Sequence, residues 1–123
     1  MEKNPPISKS LYHALCGIWY TVKEERNFRI ELAVAFGVGV CAVVAPLTMG
    51  ERSAMFLAVI AVIVVELINT AIENTVDTMT DEHSATAQRA KDSAAAAVLV
   101  CTIGAVVCGG IVAYRVSERI MGA

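Results

Sequence analysis

Val65-Glu66-Leu67-Ile68-Asn69-Thr70-Ala71-Ile72-Glu73-Asn74-Thr75-Val76-Asp77 continues, without a break, an apolar run that begins at Ala54. At about 100° per residue, Glu66, Asn69, Glu73 and Asp77 fall in one narrow helical sector, because they are spaced three or four residues apart. Leu67, Ile68, Ala71 and Ile72 cover the rest of the surface. One apolar helix therefore carries a single polar stripe of three carboxylates and an amide. The twelve residues 54–65 hold no charge, which puts the start of the stripe at or below a membrane surface. A charged carboxylate at the centre of a bilayer costs roughly 2.5–3.5 kcal/mol, so its presence there points to function. The structural alternative is a polar seam that holds a helix bundle together, but amides and hydroxyls would do that with less charge to bury.

The rest of the chain fits a membrane setting. It has 123 residues, of which 56% are hydrophobic, and a mean hydropathy of +0.60. That is high for a water-soluble domain of this size and suits one membrane domain over residues 1–123. A net charge of -2 gives no support for a nucleic-acid partner. Charges gather in residues 1–31 and 73–92 and are nearly absent between. Cys16, Cys41, Cys101 and Cys108 show no CxxC spacing and no nearby histidine, and read as small apolar packing residues. Residues 1–10 are polar with Pro5-Pro6, unlike a cleavable signal, and residues 1–6 read as a disordered start.

Ile7, Leu11, Leu15, Ile18 and Val22 lie on one stripe of an amphipathic helix over about 7–24, with Trp19 and Tyr20 suited to the headgroup layer. This helix reads as lying on the membrane, with His13 an interfacial side chain; a soluble core helix is the alternative. A charged hinge follows, Lys23-Glu24-Glu25-Arg26-Asn27-Phe28-Arg29-Ile30-Glu31. Residues 32–47 are sixteen without a charge, giving a first span over about 30–47 that ends at Pro46 and a tight turn over 48–52. A second span runs over about 53–79. Residues 80–84 read as a polar loop with Ser84 an N-cap, and a third span, rich in alanine and with Gly104, Gly109 and Gly110 for close helix approach, runs over about 86–114. The fold class is an all-α membrane protein with a surface helix and three transmembrane helices. Lys3, Lys9, Lys23, Arg26, Arg29, Arg89 and Lys91 lie on the side of the N-terminus, against Arg52, Arg115 and Arg119 opposite. This bias places the N-terminus and the stripe's charged end in the cytoplasm.

Glu25, Glu31, Glu66, Asn69, Glu73 and Asp77 then share one face with Arg29, Lys91 and Asp92. Acidic oxygens suit Mg²⁺, which commonly takes one or two carboxylates plus substrate phosphates. A lysine suits phosphate charge, and a carboxylate at the interface suits a base for a lipid hydroxyl. These are the parts of phosphoryl transfer, although no Walker or protein-kinase motif is present. A membrane proton or cation carrier and a purely structural oligomer are the rival classes. A carrier would hold isolated carboxylates deep in the spans, whereas here they crowd one face beside cations.

The same residues resemble a known family. The stretch from Glu66 to Asp77 looks like the signature of the small prokaryotic diacylglycerol kinases, E-x-x-N-[ST]-A-[IL]-E-x-x-x-D. Glu25-Arg26-Asn27-Phe28-Arg29 resembles the block before that signature. Arg89-Ala90-Lys91-Asp92, with Ala97-Val98-Leu99 further on, resembles the block after it, and the likeness runs over about 11–111. It implies a homotrimeric bundle in the inner or plasma membrane of a prokaryote, with its active site cytoplasmic, that transfers the γ-phosphate of MgATP to a lipid alcohol. By this resemblance Glu66 is the general base and Asn69 its neighbour. Glu25 and Glu73 are the metal carboxylates, Lys91 and Asp92 bind nucleotide, and Arg29 and Glu31 line the site. Residues before Gly17 match poorly, which leaves any nucleotide contact from Lys9 open, and Asp77 is open between a site residue and a helix end. The blocks look closer to the branch that phosphorylates undecaprenol than to the diacylglycerol branch, which is the alternative.

Overall fold

The computed structural model describes residues 3–79 and 84–122, so most of the expected 80–84 loop and the first two residues of the expected disordered start lie outside the described residues. Four helices follow one another: α1 (Ile7–Glu24), α2 (Arg26–Val44), α3 (Met49–Met79) and α4 (Ala85–Met121). No strand occurs among the described residues. The helices α2, α3 and α4 are each long and apolar enough to cross a membrane. The most extensive packing is between α3 and α4, α2 lies on α3, and α1 touches α2 and α3 lightly.

The burial pattern is the reverse of a water-soluble core. Thr21, Glu51, Glu66, Asn69 and Thr70 are buried, while Val34, Phe36, Val43, Leu57, Leu99, Val100 and Val106 stand exposed on the spans. Apolar side chains facing outward cost nothing where lipid or another subunit is the surroundings, and polar groups must turn inward. On α1 the expected apolar stripe of Ile7, Leu11, Leu15, Ile18 and Val22 is likewise exposed, except for Val22, which is half-buried. The chain's own helices do not cover it, as befits a helix lying in the membrane interface. Lys23 Nζ sits 5.9 Å from the Trp19 ring centroid, close enough for a cation–π contact at the polar edge of α1.

Local chemistry sets the helix ends, and here the structure differs from the sequence reading. The charged hinge shrinks to one residue: Glu25 alone is extended, at φ -98° and ψ 109°, between α1 and α2. Arg29, a turn into α2, donates from Nη1 to the carbonyls of Val22 (2.8 Å) and Lys23 (2.9 Å). A guanidinium there satisfies carbonyls that a helix C-terminus leaves unpaired and complements its dipole, so the corner is tight. Phe28 is fully buried beside it. At the far end α2 stops at Val44, before Leu47, because Ala45 must be extended ahead of Pro46.

Helix α3 starts at Met49, where the sequence suggested a turn to about 53. Thr48 and Glu51 form a reciprocal capping box: Glu51 N donates to Thr48 Oγ1 (3.2 Å) and Thr48 N donates to Glu51 Oε2 (2.9 Å). Ser84 caps α4 as expected, accepting from Ala87 N at 3.0 Å. That helix runs on past Tyr114 to Met121, since nothing between Arg115 and Met121 breaks it.

Candidate active site

The polar stripe of α3 faces inward. Glu66 is only 5% exposed, and Asn69 and Thr70 are also buried. If Arg52 marks one edge of the apolar layer, the rise of 1.5 Å per residue puts Glu66 about 21 Å along and Glu73 about 31 Å along. The hydrocarbon layer is about 30 Å thick. Glu66 therefore lies inside the layer near its far edge, Glu73 at that edge, and Asp77 beyond it. One helix thus carries its carboxylates from lipid depth at Glu66 to water at Asp77 in about three turns.

Three helices close around the stripe. A cavity of about 330 Å³ is lined by Asn27 from α2, by Glu66, Asn69 and Glu73 from α3, and by Ala95, Val98, Leu99 and Thr102 from α4. The lining from α4 is apolar except for Thr102, and the polar lining comes chiefly from α3. Asn69 Nδ2 donates to Glu73 Oε1 at 3.2 Å, which orients one carboxylate oxygen. Asn69 Oδ1 and Glu31 Oε2 are buried with no hydrogen-bond partner among the described residues. Buried polar atoms are nearly always bonded, so such orphans mark places where a bound group completes the set.

The charges gather by sign. Glu25 and Glu73 both act electrostatically on Glu66, and Glu66 acts on Glu31. No hydrogen bond or ion pair reaches the Glu66 carboxylate from the described residues. One turn further out, Lys91 Nζ bonds Asp77 Oδ1 at 2.8 Å, and Glu73 also acts on this ammonium. Two carboxylates, Glu66 and Glu73, thus line the cavity, Glu25 and Glu31 add like charge near Glu66, and Lys91 flanks Glu73. The arrangement offers a base in an apolar layer, acidic oxygens for a cation, and a positive charge for an anion.

The structure thus draws Glu25, Glu31, Glu66, Asn69 and Glu73 together from three parts of the chain, with Lys91 near enough to feel Glu73. Arg29 is engaged on the carbonyls that end α1. Asp92 accepts from Gln88 Nε2 on its own helix at 2.7 Å and makes no bond to the cluster among the described residues. Asn27 and Thr102 line the cavity and were not singled out from sequence. Thr102 had a signal, being the one hydroxyl-bearing residue between Ser93 and Tyr114. Asn27 had only its place in a charged run that resembles a family block.

The profile of the prokaryotic diacylglycerol kinase family matches residues 12–113. The chain is 45% identical to the undecaprenol kinase of Bacillus subtilis over 101 residues, which cover 78% of this chain and 82% of that protein. It is 36% identical to a diacylglycerol kinase of Synechocystis over 107 residues, covering 86% of this chain and 61% of that longer protein. The matched region takes in all the carboxylates of the cluster, Lys91, the first two apolar helices and most of the third. This multi-pass membrane protein belongs to the prokaryotic diacylglycerol kinase family of lipid kinases.

Proposed function

We propose that the chain phosphorylates undecaprenol at the cytoplasmic face of a prokaryotic plasma membrane, taking the γ-phosphate of MgATP and releasing ADP and undecaprenyl phosphate. The observation that carries this reading is Glu66, a carboxylate without a bonding partner among the described residues, buried near the edge of the apolar layer beside Asn69 and Glu73. A hydroxyl anchored in lipid reaches that depth, and a polyphosphate arriving from water reaches the rim. The 45% identity to an undecaprenol kinase supports the acceptor. The 36% identity to a diacylglycerol kinase makes diacylglycerol the second reading.

Glu66 takes the proton of the acceptor hydroxyl as that oxygen attacks the γ-phosphorus. A base within hydrogen-bond reach contributes typically 10²–10⁴-fold to such a step. Asn69 orients Glu73 through its amide, which leaves its own buried carbonyl oxygen unpaired among the described residues. Lys91 meets phosphate charge at the rim, with Asp92 beside it. Arg29 supports the site from below by fixing the α1–α2 corner that presents Glu25 and Glu31. Positioning and electrostatic balance are what phosphoryl transfer asks of a protein, since the nucleotide and acceptor supply the reacting bonds.

Among the described residues, no three His, Cys, Asp or Glu side chains converge to enclose a metal ion. The donors present suit Mg²⁺ all the same, because that ion keeps waters and is held by one or two carboxylates plus substrate phosphates. Glu25 and Glu73 would hold it, and it would screen the phosphate charge. The orphaned Asn69 Oδ1 would accept from a water that such an ion keeps. The seven-to-three bias of Lys and Arg supports a cytoplasmic N-terminus and site. The family resemblance supports a homotrimer, whose contacts would cover part of the exposed apolar faces of the spans.

The test offers labelled ATP with undecaprenol and diacylglycerol side by side to the purified protein in detergent. Label is expected in undecaprenyl phosphate, at several times the yield of phosphatidic acid. Preferential phosphatidic acid would favour the second reading, and ATP turnover indifferent to either lipid would overturn both.

A further inference from the structure

We propose that Asp77 is a positioning residue that sets Lys91 for the incoming nucleotide and keeps it off Glu73. The inference rests on the reading of Lys91 as a phosphate-binding side chain. Asp77 lies one turn beyond Glu73 on α3, and its Oδ1 receives Lys91 Nζ across the α3–α4 hairpin at 2.8 Å. Two carboxylates on one face of α3 therefore compete for a single ammonium, and the outer one holds the direct bond. Glu73, the inner one, acts on Lys91 without bonding it and receives the amide of Asn69 in its place.

The pair does little for the fold. The side chains of Lys91 and Asp77 are 33% and 63% exposed, and exposed ion pairs contribute little stability. The hairpin is already held by the long α3–α4 packing. What the pair does fix is the reach of a side chain with four rotatable bonds. Freed from Asp77, the Lys91 ammonium would settle on Glu73, the next carboxylate inward. That would cost the site twice, by withdrawing the cation from the phosphates and by occupying a carboxylate meant for the metal. Asp77 thus keeps Lys91 extended along the rim. Gln88 steadies Asp92 in the same way, from the preceding turn of α4.

Removing Asp77 also deletes a negative charge near the nucleotide, which by itself would help polyphosphate bind. The two effects have opposite signs, so the direction of the change is diagnostic. The experiment measures steady-state kinetics of the full chain in detergent for Asp77→Asn, Asp77→Glu, Lys91→Met and the Asp77→Asn/Lys91→Met double variant. Asp77→Asn is expected to raise the KM for MgATP about tenfold, as expected when a site group is misplaced, while the KM for the lipid and the melting temperature stay unchanged. Asp77→Glu is expected to restore most of the loss. Adding Asp77→Asn to Lys91→Met is expected to change nothing further, because the two act as one unit. An unchanged or lowered KM in Asp77→Asn, with Lys91→Met impaired, overturns the positioning role and leaves the kinase site standing. So do losses that simply multiply in the double variant. Wild-type kinetics in Lys91→Met overturn the phosphate-binding role of Lys91 itself, and the positioning role with it.

Discussion

Glu51 and Glu66 are buried on the same helix, at 7% and 5% exposure, and the fold treats them in opposite ways. Glu51 is saturated. Arg119 Nη2 donates to Oε1 at 2.7 Å and Thr48 N to Oε2 at 2.9 Å. The same arginine reaches Pro46 O at 2.6 Å, and neighbouring Arg52 donates from Nε to Ala42 O at 2.8 Å. Three helix ends and the 45–48 connection are tied there by groups that all find partners. Glu66 has three like charges around it, no bonded cation among the described residues, and a cavity in front of it. The first is how a chain stabilises itself in a membrane, with every polar atom matched. The second is what a chain tolerates only where a ligand completes the set.

The contrast can be broken most sharply at Glu66. Replacing it with Gln keeps the shape and removes the base, and kcat is expected to fall about 10²–10⁴-fold. Folding should hold or improve, because a charge without a partner leaves the apolar layer; a far-ultraviolet spectrum and melting curve check that. Glu73→Gln comes next. The Mg²⁺ concentration for half-maximal rate is expected to rise on the order of tenfold, and a titration in which it stays put would remove Glu73 from the metal's ligands. The smallest effect on chemistry is expected at the opposite end. Glu51→Gln should lower the melting temperature by several degrees while the folded fraction turns over at the wild-type rate. A lost rate without lost stability there would mean that the two ends are not divided as described.

Much of this architecture was legible in the sequence because membrane physics writes in long runs. Uncharged stretches gave the three crossings, the period of Ile7, Leu11, Leu15 and Ile18 gave the surface helix, and the spacing of Glu66, Asn69 and Glu73 gave the inward stripe. Helix ends were read less well. The Thr48–Glu51 capping box stood in plain view, but the Gly50-Glu51-Arg52 segment after Pro46 reads equally as a turn. The hinge looked nine residues long because charges were counted; Arg29 reaching back to two carbonyls of α1 is a contact that no local pattern reveals. Asn27 and Thr102 enter the cavity only through the way α2 and α4 set against α3, which a linear reading does not contain. The Asp77–Lys91 bond likewise spans the 80–84 connection and needs the α3–α4 register to exist.

The most direct measurement follows labelled phosphate from ATP to undecaprenol in a single turnover, by wild type, Glu66→Gln and Glu51→Gln, with nucleotide binding recorded on the same samples. The account predicts that all three bind MgATP, that wild type and Glu51→Gln transfer the label, and that Glu66→Gln holds the nucleotide without passing it on. Transfer by Glu66→Gln at a rate near wild type would contradict it.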